Sequence, residues 1–444
     1  MKKFPNAFVI IIGVAFLAWA LTYLIPQGSY QRTVNEESGV ARVINDSYQT
    51  IDAEYLSPFD FLLAIPEGIA GRAETIVLIL LIGGCFYIIE KTGALNQGLG
   101  KLVSLLEGKE VLALIIVSAL FAAGGATIGL QEEIVAMIPI LLLFGRSLGY
   151  NTLATLCMSY GSAVLGSAFS PSNPFAVIIA QKEAGIPLLS GSELRLVVML
   201  VAFTIWILYL IRYTQKNKIE KVEMPPVEKS SSIRGQIILT LLCVTFGVVI
   251  YGVLNMDWGF NEMSACFFGL GIASGLVGKL GVNETGEMYI AGFREMIFAC
   301  IILGLANSIS LILKQGMIID TVVYGLFGPL QYLSPAVSGV VMMISQSLLH
   351  FPLPSYSGQA VLTMPILVPL SDLIGLSRQT CVLAFQYGAV LADFITPTNG
   401  ALMAVLAVCN VPYNKWVKFI FKPLLLLLAI GAMAIVIAVS IGYA

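Results

Sequence analysis

Charge is scarce in this chain: only 11% of its 444 residues are Asp, Glu, Lys or Arg, against about 25% in an ordinary soluble protein. A soluble enzyme is thereby excluded. Basic excess is missing as well, because 24 bases face 26 acids for a formal charge of -2; nothing is available to hold the phosphates of nucleic acid. Histidine occurs once, at His350, which leaves too few ligands for a zinc-protease site and makes a Ser-His-Asp triad hard to assemble. The seven cysteines stand singly in apolar runs with no CxxC pair and read as small core residues. What is abundant is apolar sequence, 58% of the chain, in runs that approach the roughly 20 residues a bilayer core takes.

These runs describe an all-α polytopic membrane protein with about nine transmembrane helices and two re-entrant hairpins, set in two inverted repeats with two broken helices. The crossings read as 6–26, 75–92, 150–184 (interrupted), 193–213, 235–256, 262–280, 293–313, 377–409 (interrupted) and 419–442; the hairpins read as 110–148 and 333–370. Lys2 and Lys3 before the first run would suit a signal peptide, but its apolar stretch Phe8 to Ile25 exceeds the roughly 7–15 residues of a signal core, so it reads as an uncleaved anchor. Residues 27–57 suit an external loop. The polar linker 214–234 separates an N-terminal half, 1–213, from a C-terminal half, 235–444. Lys and Arg resist translocation, and a cytoplasmic N-terminus places 17 of the 24 bases inside, leaving Arg32, Arg42, Arg72, Lys182, Arg195, Lys314 and Arg378. The odd number of crossings then puts the C-terminus outside.

An internal repeat is the most informative feature. Ser170-Pro171-Ser172-Asn173 recurs as Thr396-Pro397-Thr398-Asn399, and the same offset of 226 carries Pro139-Ile140-Leu141 onto Pro365-Ile366-Leu367. Ahead of each motif, Tyr160-Gly161-Ser162-Ala163-Val164-Leu165 answers Tyr387-Gly388-Ala389-Val390-Leu391. Upstream, Ala70-Gly71-x-x-Glu74 answers Ala291-Gly292-x-x-Glu295, and Lys91-x-Gly93 answers Lys314-x-Gly316. Five crossing steps separate the copies, so they face opposite ways, the plan in which cargo sits near the midplane between repeats.

Proline and asparagine inside an apolar crossing remove backbone hydrogen bonds that lipid cannot replace, so each break must line protein or water. Ser170, Ser172 and Asn173 in one break, and Thr396, Thr398 and Asn399 in the other, offer hydroxyls and amides to a small cation or a carboxylate; the half-helices starting at Pro174 and Gly400 aim their positive ends there. A sodium ion is expected, if anywhere, at Ser172, Asn173, Thr398 and Asn399. The hairpin tips add polar groups at membrane depth: Glu132 and Glu133 in the first, Ser357 in the second, with Asp393 three residues before Thr396. Ionisable groups there are costly and therefore functional candidates, although the Glu pair would also suit a helix N-terminus. No base lies at either tip or break, which points to a positively charged cargo or coupling ion. His350 reads as a proton carrier or as a hydrogen-bonded packing residue, and Asn307, with Ser308 and Ser310, as a cavity-facing group. The pieces 94–107 and 317–331 read as amphipathic arms in the interface plane, and the crossings 6–26, 193–213, 235–256, 262–280 and 419–442 as a static frame without buried charge and a dimer contact.

The segments Leu81-Ile82-Gly83-Gly84-Cys85, Ile89-Glu90-Lys91-Thr92-Gly93-Ala94, Glu132-Glu133, Asn173-Pro174-Phe175 with Ala180-Gln181, and Leu189-Ser190-Gly191 resemble the bacterial family of basic amino acid antiporters related to the C4-dicarboxylate anaerobic carriers. The resemblance covers nearly the whole chain. It implies two inverted repeats, each with a re-entrant hairpin and a broken helix, in a dimer working by an elevator motion. In the related dicarboxylate carriers, Ser-Asn-Thr motifs that bind sodium and carboxylate occur twice; Ser170 to Asn173 and Thr396 to Asn399 stand in their place with a different residue order. The expectation is an inner-membrane secondary transporter of an amino acid, basic ones such as arginine or ornithine first, coupled to exchange, Na+ or H+ and needing no cofactor. The alternatives are Na+-coupled dicarboxylate uptake, a membrane-embedded enzyme, for which no HExxH or GxSxG exists, and a channel.

Overall fold

Helix dominates because nearly every apolar run is bounded by a turn residue or a cap. The computed structural model describes residues 7–34, 41–44, 47–95, 97–98, 108–222, 233–256 and 258–443. Lys2 and Lys3, residues 99–107 of the first expected arm and residues 223–232 of the linker lie outside them. Among the described residues, seven helices are long and apolar enough to cross a membrane: Ala73–Lys91, Glu110–Ile128, Ser192–Lys216, Ile233–Val253, Phe260–Val277, Val282–Gln315 and Tyr413–Ser440. Six correspond to expected crossings. The seventh, Glu110–Ile128, is the outgoing arm of the first expected hairpin, and Phe8–Leu24 is a shorter apolar helix.

The stretch 27–57, expected to be external, carries two short antiparallel ribbons, Gly28–Ser29 with Gln49–Thr50 and Arg32–Val34 with Ala41–Val43. They are pinned to the helix Ile319–Phe327 by Asp320, which accepts from Tyr30 N at 2.9 Å and from the Arg32 guanidinium at 2.8 Å. The loop then runs into a helix absent from the sequence reading, Pro58–Ala70, started by Pro58 and a capping box between Ser57 and Asp60. This helix ends at Gly71, Arg72 leaves the helical region, and Ala73–Lys91 follows.

Together these two pieces match the 34-residue helix Val282–Gln315, as the Ala-Gly-x-x-Glu repeat requires. The partners pack antiparallel: Gly68 meets Ser308, Gly71 meets Asn307, and Gly84 meets Tyr289. At Gly292 the backbones are so close that a Cβ would lie 2.6 Å from the Gly84 Cα. The matched helices therefore run in opposite directions, as inverted copies must.

Both interrupted crossings are broken where expected. The first passes through Thr152–Leu156, a π turn at Cys157–Gly161 and Ser162–Ala168, and restarts at Pro174–Ile178 and Ile179–Ala184. The second is Arg378–Ala392 followed by Gly400–Val408. Asn173 and Asn399 cap the restarted halves, which explains asparagine at both positions. The second broken helix is buried on every face from Cys381 to Leu391 and forms the centre of the fold.

One expectation fails. The crossing at 193–213 does contain buried charge, because Arg195 is fully buried. Its guanidinium donates to Gln386 Oε1 (3.2 Å), Gln379 Oε1 (3.0 Å), Ser190 O (2.8 Å) and Tyr443 Oη (3.2 Å). Neutral oxygens solvate the cation in place of water.

Candidate functional site

The two hairpin tips meet at the second break around a cavity of about 430 Å³, within the usual size range of small-molecule sites. Glu132 and Glu133 enter from the first tip, Tyr356 and Ser357 from the second, and Asp393, Thr398 and Asn399 from the second break; Asn307 faces it from Val282–Gln315. Seven of the eleven expected site residues thus share one space. Ser170, Ser172, Asn173 and Thr396 do not line it.

The reason is local hydrogen bonding. Ser170 Oγ donates to Ala126 O (2.6 Å) and accepts from the N–H groups of Ser172 and Asn173 (2.9 and 2.7 Å). Asn173 Nδ2 donates to Gly125 O (2.8 Å), while its Oδ1 accepts from Phe175 N and Ala176 N (3.0 and 2.9 Å). The first break is therefore closed upon the first hairpin. Ser172 Oγ lies 3.5 Å from Ala126 O, and Thr396 Oγ1 donates to Ala392 O at 2.8 Å. The second break is open: Thr398 Oγ1 donates to Phe351 O (2.6 Å), and Asn399 Oδ1 caps Leu402 N (2.8 Å) while Nδ2 donates to Asp393 Oδ1. Ser172, Asn173, Thr398 and Asn399 are thus divided between a closed and an open break, with both asparagine oxygens held by N–H groups. They do not assemble into the expected sodium shell.

Two groups missing from the sequence reading complete the wall. Arg72, at the interruption between Pro58–Ala70 and Ala73–Lys91, lines the cavity and puts Nη1 3.7 Å from Glu132 Oε1. It corrects the expectation that no base faces the site. The signal was present in the repeat, since the counterpart of Arg72 is Phe293 and a charge in one copy only marks a specialised position. Tyr356 bridges the repeats: its hydroxyl accepts from Gln131 Nε2 (2.7 Å) and donates to Asp393 Oδ2. Asp393 is also 2.8 Å from His350 Nε2, and His350 Nδ1 is 2.8 Å from Gln359 Oε1. His350 is buried with both ring nitrogens paired. Among the described residues no group of three or more His, Cys, Asp or Glu could hold a metal ion.

The cavity therefore carries four carboxylates, Glu74, Glu132, Glu133 and Asp393, against one guanidinium, Arg72. It can take a small, polar, positively charged ligand, and Arg72 can hold an anionic end of that ligand.

An uncharacterized protein of Haemophilus influenzae is 31% identical, the alignment covering 99% of this chain and 97% of that one. YfcC of Escherichia coli K12, named for basic amino acid antiport, is 30% identical over 99% and 97%. The backbone is also similar to the YdaH transporter of Alcanivorax borkumensis (TM-score 0.46, 14% identity, 99% of each chain) and to MtrF of Neisseria gonorrhoeae, described with antimetabolite efflux pumps (TM-score 0.44, 15% identity, 98% and 95%). Residues 4–440 match the family of C4-dicarboxylate anaerobic carriers, and the chain, a multi-pass membrane protein, belongs to this DcuC family of membrane transporters.

Proposed function

We propose that the protein is a secondary transporter that exchanges a basic amino acid of the arginine or ornithine type across the bacterial inner membrane. The observation that carries this reading is the charge balance of the cavity. Arg72 stands against Glu132 and His350 against Asp393, which leaves Glu74 and Glu133 with no base within 4 Å among the described residues. The two cationic groups of such a basic amino acid match those two carboxylates, and its carboxylate shares Arg72 with Glu132. Its carboxylate meets Arg72, with Thr398 beside it, and its ammonium and guanidinium groups meet the carboxylates of the same wall, Glu133, Glu132, Glu74 and Asp393. Glu132 and Glu133 are thereby assigned to cargo and not merely to a helix end.

In this reading the N-terminus is cytoplasmic and the C-terminus external, both hairpins are re-entrant, and the hairpins and broken helices of the two repeats move together as an elevator. Support for their moving as one body comes from hydrogen bonds between the two repeats, Gln131 Nε2 to Tyr356 Oη (2.7 Å) and Gln386 Nε2 to Ser170 O (2.8 Å). The helix Ile233–Val253, only 17% buried within its own chain, offers a face to lipid or a second copy.

Family membership and Arg72 favour a second reading, a C4-dicarboxylate cargo. Heat stabilisation of the purified protein separates the two, because a ligand of the native state raises stability by mass action. Arginine and ornithine at 100 times their dissociation constant should each add about 2.7 kcal/mol, and succinate nothing. Stabilisation by succinate alone would make the dicarboxylate reading correct.

A further inference from the structure

The hydrogen-bond partners around His350 determine how many protons it holds. Gln359 Nε2 reaches Gln346 O (2.9 Å) and Gln346 Oε1 (2.5 Å), which can only accept. The Gln346 amide is itself oriented by Nε2 donating to Thr363 Oγ1 (2.9 Å), whose own hydrogen goes to Gln359 O (2.8 Å). Gln359 therefore turns Oε1 toward His350, and Nδ1, 2.8 Å away, must carry a hydrogen. On the other side, Nε2 stands 2.8 Å from Asp393 Oδ1. A bare nitrogen lone pair against a carboxylate oxygen at that distance would repel, so a proton lies between them. Asp393 already accepts from Asn399 Nδ2, whose orientation is set by its cap to Leu402 N, and from the Tyr356 hydroxyl. Both of those groups donate to Asp393, the partner set that an acceptor-only carboxylate takes.

We propose that His350 and Asp393 form the proton-binding site of this transporter: a buried imidazolium–carboxylate pair holding one more proton than a neutral histidine beside an aspartate. Asp393 lines the cavity whereas His350 lies behind it, so a cationic cargo group arriving at Asp393 competes with the imidazolium. The proton then leaves Nε2 for the water of the cavity, and His350 remains neutral with hydrogen on Nδ1. No electron moves, and charge is conserved by exchange of one cation for another. The other titratable groups facing the pair are the hydroxyls of Tyr356 and Tyr160, the latter 3.4 Å from Asp393 O, with Glu132, Glu133 and Arg72 across the cavity. The repeat makes the site single: at the offset of 226, His350 and Asp393 fall on Gly124 and Ser167. One proton per protomer and per cycle follows. The coupling role, though not the bound proton, rests on the transport reading above.

Because His350 is the only histidine, nitrogen-15 labelling of histidine in the full chain gives one imidazole to observe by NMR. Both ring nitrogens should be protonated at neutral pH, and Asp393→Asn should leave only one. A wild-type ring with a single protonated nitrogen would overturn the proposal. The second arm uses liposomes with the membrane potential clamped and labelled arginine as the probe. A gradient of one pH unit should support about tenfold accumulation at one proton per cargo, with choline replacing Na+ making no difference. In His350→Gln the ratio of uptake with and without the gradient should fall to about one. A ratio kept at the wild-type value would overturn the coupling role. If the wild type ignored arginine altogether, the cargo assignment would fall while the NMR result still decided the proton site.

Discussion

Replacing Arg72 by Ala separates cargo recognition from architecture. The guanidinium stands 3.7 Å from Glu132, with 32% and 25% of the two side chains exposed. Coulomb attraction at that distance is about 4–5 kcal/mol for an effective dielectric of about 20, but partial exposure and side-chain ordering reduce the net value toward the roughly 1 kcal/mol of an accessible pair. Loss of Arg72 should therefore cost about 1 kcal/mol of stability. A charge-assisted bond to a cargo carboxylate is worth about 1.5–3 kcal/mol, so the half-saturation concentration for arginine should rise about 10- to 150-fold. The assay is counterflow in liposomes with labelled arginine, with agmatine as its control because it keeps the guanidinium and lacks the carboxylate. Arg72→Ala should weaken arginine strongly and agmatine little. Equal loss for both, or unchanged arginine affinity, would refute the assignment of Arg72 to the carboxylate.

Other substitutions test the remaining parts. Asn173→Ala removes a helix cap worth about 1 kcal/mol and one of two hydrogen bonds to the buried Gly125 carbonyl, which keeps Ser167 Oγ at 2.9 Å, about 0.5–1.5 kcal/mol more; heat denaturation should show a loss of about 1.5–2.5 kcal/mol, and transport by the folded fraction should persist. Asn399→Ala should instead change transport itself, since this amide touches Asp393; a variant carrying arginine with unaltered kinetics would contradict the open second break. Arg195→Met leaves the oxygens of Gln379 and Gln386 unpaired in the interior and should destabilise by about 3 kcal/mol or more, read by the same denaturation assay. Gly292→Ala pushes a methyl to 2.6 Å from the Gly84 backbone; if the antiparallel pair is as close as described, folded yield should fall sharply, while Gly286→Ala, with open space around it, should be neutral.

Much of the architecture was legible because lipid makes interruptions conspicuous. Pro171 and Pro397, each followed by an asparagine in an otherwise apolar run, could only mark breaks, and the two asparagines do cap the halves that follow. Glu132, Glu133 and Asp393 were legible for the same reason, as carboxylates where charge is expensive. The chemical inequality of the two breaks was not. Similar motifs close in one case on backbone carbonyls of Gly125 and Ala126 and open in the other on Asp393, a difference that depends on tertiary neighbours. Arg72 escaped because the break beside it follows a loop and carries no proline, and Arg195 because its partners, Gln379, Gln386 and Tyr443, are distant in sequence.

The central claim is that the acidic cavity between the two hairpin tips carries a basic amino acid. It is tested most directly by counterflow in liposomes preloaded, in separate batches, with unlabelled arginine, ornithine or succinate and given the same compound labelled. The account predicts saturable entry of arginine and ornithine, abolished when Glu132 and Glu133 are both replaced by Gln, and no entry of succinate. Entry of succinate that survives the double replacement, with arginine excluded, would contradict it.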